Sequence, residues 1–124
     1  MRIHEAALGL VAVLFWGAPA SAQVERYTGA YMLPGCRYVL HMADPTYPAE
    51  AALGGMCLGV VLTLSAVIDV MPPKFRFCLP RDVTMSQQIQ VIVDWLESHP
   101  EQQAQPFILV ANYALHVAWP CPGA

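Results

Sequence analysis

Charge is what this sequence has least of. Only 12% of its 124 residues are Asp, Glu, Lys or Arg, and six Lys and Arg against nine Asp and Glu leave a net charge of −3. Basic residues scattered singly make no electrostatic footprint for a polyanion, which excludes a nucleic-acid partner. Internal repeats and low-complexity tracts are also missing. None of the four cysteines forms a Cys-x-x-Cys pair, the usual half of a zinc site, so no metal is expected. Asp69, Asp82, Asp94, Glu97, Glu101, His99 and His116 fall into no known catalytic spacing. The expectation is therefore a protein that is not an enzyme and carries no cofactor.

What the chain does have in quantity is apolar sequence, 56% of its residues. Arg2 and His4 give a weakly basic start, Ala6 to Ala18 is an apolar run, and Ala20-Ser21-Ala22 has the small residues that a signal peptidase requires. The run is too short to cross a bilayer of about 30 Å. Residues 1–22 are read as a secretory signal peptide cleaved after Ala22, so residues 23–124 are expected to be exported as a single domain. Cys36, Cys57, Cys78 and Cys121 all lie in that mature part. An even count in an exported chain reads as disulfide-bonded.

The stretch from Cys78 to Cys121 reads as a helix hairpin. Thr84 and Gln87 form a Thr-x-x-Gln capping box. Met85, Ile89, Ile92, Val93 and Leu96 then recur at helical spacing, with Gln88, Gln90, Asp94 and Glu97 on the other faces, and Pro100 stops the helix. Pro106 can open the second helix. Ile108, Ala111, Leu115 and Ala118 form its stripe, with Phe107 and Ala114 beside it. His99 to Gln105 is the polar turn between the two. Four cysteines allow three pairings. The hairpin brings Cys78 and Cys121 to its open end, so geometry prefers Cys78 with Cys121, which leaves Cys36 with Cys57. The first of these bonds closes a loop worth on the order of 4 kcal/mol in the chain-entropy model.

Val24 to Met42 reads as a first helical region with a break or a helix start near Pro34, because proline inside a helix costs about 3 kcal/mol. Ala43 to Pro48 is a loop. Ala51 to Ile68 is an uncharged apolar run that reaches the length threshold for a membrane span. Gly54, Gly55 and Gly59, together with the need of Cys57 for a partner, favour instead a helix buried on most sides in the domain centre. No membrane span is expected in the mature chain. Four helical regions joined by short loops predict an all-α, four-helix bundle-like fold.

Few residues stand out as functional. His116 and Asn112 share a face of the last helix, where a histidine near the C-terminal end suits the helix dipole. Trp95 and Trp119 read as core. Lys74, Phe75 and Arg76 follow two prolines in an exposed connection, and they are the candidate partner-binding residues.

Leu33-Pro34-Gly35-Cys36-Arg37, Cys57-Leu58-Gly59-Val60-Val61, Phe77-Cys78-Leu79-Pro80, Val83-Thr84 with Gln87, Trp95-Leu96 before His99-Pro100, and Ala114-Leu115 to Trp119-Pro120-Cys121-Pro122 follow one another in an order that resembles the Rap/Tai family of immunity proteins from type VI secretion systems. The resemblance covers most of the mature chain. It implies a small periplasmic all-α domain, often a homodimer, with two intrachain disulfides. It also implies that the protein binds and sterically blocks a secreted peptidoglycan amidase. Leu58 and Val60-Val61 depart from the Gly-Tyr-Ile type run common in the family, and the matching residues are framework, so no effector-contacting residue carries over. A periplasmic helical protein of another class, such as an acid-stress chaperone, is the alternative expectation.

Overall fold

In a computed structural model, residues 27–123 are described, so the signal peptide expected over residues 1–22 lies outside the described residues. The elements in chain order are α1 (Gly29–Leu40), α2 (Ala51–Val67), α3 (Met85–Ser98) and α4 (Phe107–Ala118), with short 3-10 turns at Ile68–Val70, Pro73–Phe75 and Pro100–Gln102. Among the described residues no strand forms, and the expected four-helix architecture is what the chain adopts.

Helix α3 forms for the reasons its sequence gives. The Thr84 hydroxyl accepts the Gln87 N–H, and the Gln87 side chain accepts the Thr84 N–H, which completes the capping box. Its stripe Ile89, Ile92, Val93 and Leu96 is buried. Trp95 and Trp119 are half-buried and pack against that core. His99 ends the helix, its ring stacked on Trp95 at 3.9 Å between centroids. Gln88 departs from expectation: it is buried, and its carbonyl accepts the Ser65 hydroxyl at 3.1 Å, a polar tie between α3 and α2.

Helix α1 runs unbroken through Pro34, with Thr28 as its N-cap. The break expected at Pro34 does not occur. Proline forfeits the bond to the Ala30 carbonyl, but Ala30 and Pro34 both lie on the exposed face, where water serves that carbonyl. The opposite face carries Met32, Leu33, Gly35, Cys36 and Val39 into the core. Tertiary packing of that face outweighs the local cost.

Cys36 joins Cys57, and Cys78 joins Cys121. The first bond pins α1 against α2 where both backbones come close. A Cβ on Gly35 would enter the space of the Leu53 backbone, and one on Gly54 would meet Tyr38 at 2.9 Å. The second bond closes the open end of the α3–α4 hairpin, beside an isolated bridge between Phe77 and Pro120.

Two apolar helices turn out differently from their sequence reading. Helix α2 is not buried on most sides: only Gly54, Cys57, Val61 and Leu64 are covered. Ala51–Val70 is long and apolar enough to cross a bilayer by length and composition, and 22% of it is buried. The Cys36–Cys57 bond and the Ser65–Gln88 hydrogen bond tie it to the bundle. In α4 the buried set is Phe107, Val110, Ala111, Asn112, Ala114 and Leu115, while Ile108 and Ala118 face solvent. A helix apolar all round carries no periodic signal to choose its face. The choice is made at its start, where Pro106 sits one residue outside the helix and the Phe107 N–H donates to the Tyr27 carbonyl at 2.7 Å.

Gly55 and Gly59 lie on the open side of α2, and an added Cβ at either would meet nothing within 4 Å. Gly59→Ala is therefore expected to raise the stability of the isolated chain by about 1 kcal/mol through helix propensity alone. Urea unfolding measures it, and a lowered midpoint would reveal a partner packed on that side.

Candidate functional site

The outer faces of α2 and α4 meet in an apolar trough. At one end Thr63, Leu64, Val67, Met71, Phe75, Ile108, Leu109 and Asn112 line a hollow of about 270 Å³. At the other, Tyr27, Met32, Met56, Val60, Pro106 and Phe107 line a second hollow of about 220 Å³, and Ile108 borders both. Leu109 is 63% exposed and Phe75 44%. Neither hollow has a charged residue in its lining. Removing an exposed apolar surface of this kind from water is favourable.

The loop that carries Lys74, Phe75 and Arg76 borders this trough and is held rigidly. Asn112 Nδ2 donates to the Phe75 carbonyl at 3.1 Å, and His116 Nδ1 donates to the Arg76 carbonyl at 2.6 Å. Arg76 Nε donates to the Met71 carbonyl at 2.6 Å. Arg76 thus braces the loop. Lys74 stands over the Phe75 ring, its Nζ 4.9 Å from the centroid, a cation–π contact at the edge of the apolar surface.

Of the three candidate residues, the structure brings Phe75 into the trough and Lys74 to its rim, and it uses Arg76 as a brace. Sequence reasoning missed the roles of Asn112 and His116. Their shared face was visible, but the dipole explanation assigned them no partner, and the carbonyls they hold lie about 40 residues earlier in the chain. Asn112 is nearly buried in a helix of apolar neighbours, and a buried amide has to find an acceptor. That requirement was the available signal.

The turn from His99 to Gln105 is less open than its composition suggests. Gln102 Oε1 accepts the Trp95 indole N–H at 2.9 Å, and Gln103 Nε2 donates to the Leu96 carbonyl at 2.8 Å. The Gln105 and Gln103 carbonyls accept the N–H groups of Gly29 and Ala30. An ion pair between Arg37 and Glu97, 2.8 Å apart, joins α1 to α3 at the surface, where such pairs contribute about 0–1 kcal/mol.

Elsewhere the chemistry is local. Hydrogen bonds from the Thr46 hydroxyl and the Thr46 N–H, and the nearby charge of His41, hold the Asp44 carboxyl below its usual range. That geometry is an Asx turn ordering an exposed loop. Among the described residues no three His, Cys, Asp or Glu side chains gather as a metal-binding group. Phe75 and Tyr27 stand towards opposite ends of the apolar trough, and Lys74 lies on the rim beside Phe75.

A family model described as Rap1a immunity proteins matches residues 28–121. No curated protein and no solved structure matches the chain.

Proposed function

Because the chain belongs to the Rap1a immunity protein family, which points to an immunity protein that binds a secreted protein effector, we propose that its apolar trough is the surface that binds the effector. In this reading the effector is a peptidoglycan amidase delivered by a type VI secretion system. The protein meets it in the periplasm, after export and removal of residues 1–22. Inhibition is steric and non-catalytic: a rigid surface covers the amidase cleft and excludes the cell-wall substrate.

The observation that carries the proposal is the exposure of Phe75, Val67, Ile108 and Leu109 around one hollow. A partner that covers that surface removes apolar area from water, which favours the complex. The loop is already held by Asn112 and His116, so little ordering entropy is lost on binding. Lys74 at the rim favours an acidic border on the partner.

The test is reconstitution. The mature protein is mixed with the amidase encoded beside it, and release of peptidoglycan fragments is followed. Stoichiometric inhibition with a nanomolar complex, about −12 kcal/mol, is expected. A co-encoded amidase that neither binds nor loses activity at micromolar protein would sink the proposal.

A further inference from the structure

The two disulfides have opposite surroundings. Cys36 and Cys57 are both 0% exposed, enclosed between α1 and α2. Cys78 is exposed and Cys121 half-buried. Both line a solvent-open hollow of about 340 Å³, together with Asp69, Pro73, Arg76 and Pro122. Thiol–disulfide exchange needs a thiolate to reach a sulfur, so access separates the two bonds. Arg76 and Asp69 place opposite charges on the same hollow, which leaves access as the deciding factor.

We infer that Cys78–Cys121 is a thiol–disulfide exchange site of this protein, one that an external dithiol can open while the four helices stay folded. The dithiol's thiolate forms a bond to Cys78 Sγ, the Cys78–Cys121 bond breaks, and Cys121 leaves as a thiolate that takes a proton from water. The dithiol's second thiol loses its proton and attacks the mixed disulfide. Cys78 leaves, and the dithiol ends as a cyclic disulfide. Two electrons pass from the dithiol to the protein, which ends with two thiols.

The fold tolerates this step because other contacts hold the same region. The Cys78 N–H donates to the Trp119 carbonyl at 2.8 Å, and Phe77 remains bridged to Pro120. Ile89, Ile92 and Leu96 of α3, and Phe107, Ala111 and Leu115 of α4, belong to one buried core, and none of these six lines the hollow. The Cys36–Cys57 bond has no comparable access, so reaching it requires α1 and α2 to part.

The experiment uses the oxidised mature protein with graded dithiothreitol, iodoacetamide quenching, peptide mapping and far-UV circular dichroism on the same samples. Cys78 and Cys121 are expected to label at least about tenfold faster than Cys36 and Cys57, with the helical signal retained. Labelling of all four together, labelling of Cys36 and Cys57 first, or loss of helix in step with the first label would each overturn the inference. Effector binding does not enter this readout, so it stands apart from the immunity reading.

Discussion

Gly35→Ala is expected to destabilise the protein by about 3 kcal/mol or more. The new Cβ would lie within the Leu53 backbone, and a backbone cannot turn aside as a flexible side chain does. Helices α1 and α2 would have to separate. The Cys36–Cys57 bond beside the contact resists that separation, so the strain spreads into Met32, Leu33 and Val39. Alanine also gains about 1 kcal/mol of helix propensity, which offsets only part of the cost. For a domain of this size each kcal/mol lowers Tm by roughly 4–8 °C, so a fall of about 12 °C or more is expected by calorimetry. A fall below about 4 °C would show that the two helices can part without penalty. Gly59→Ala makes the matched comparison, since the same chemical change on the open side of α2 has the opposite expected sign.

Leu109→Asp is expected to weaken effector binding by at least about 100-fold, or about 2.7 kcal/mol, without unfolding the protein. Leu109 is 63% exposed in the free chain, so a carboxylate there remains hydrated and stability changes by about 0.5 kcal/mol or less. In a complex that covers the trough, the same carboxylate is buried among Val67, Met71 and Ile108 with no cation in the lining to pair with it. Ser86→Asp, in the first turn of α3 and outside the trough, is the control, expected to leave affinity within about twofold. Titration calorimetry against the amidase separates the two. Full affinity in Leu109→Asp would move the effector to another surface of the protein while leaving the immunity reading intact.

Parts of this structure were legible in the sequence, and the boundary follows the physics. The capping box of Thr84 and Gln87, the stripe of α3 and the closing of the hairpin by Cys78 and Cys121 are local patterns, and local patterns are what residue spacing reports. The pairing of Cys36 with Cys57 followed once the hairpin was placed. Helices α2 and α4 were legible as helices but not in orientation. When nearly every position is apolar, burial is decided by where the ends are tied, at Phe107 to Tyr27 and at Gly35 against Leu53. Pro34 misled because its cost is local and its compensation tertiary. Of the candidate site, Phe75 and Lys74 stood out through their loop, whereas the trough was invisible because it arises from two helices leaving their apolar faces uncovered side by side.

The hydrogen bonds at the start of α1 also set an order of events. The N–H groups of Gly29 and Ala30 donate to the carbonyls of Gln105 and Gln103, about 75 residues further along. A chain that emerges from a ribosome or a membrane pore with its N-terminus first presents α1 before either acceptor exists. The amides of Gly29 and Ala30 stay with water until the hairpin has followed, although α2 can already cover part of the apolar face of α1. The seam between Gly29–Ala30 and Gln103–Gln105 therefore forms only after the chain has emerged as far as Gln105. A chain cut before Gln103 lacks both acceptors, so truncation from the C-terminal side also unpins the start of α1.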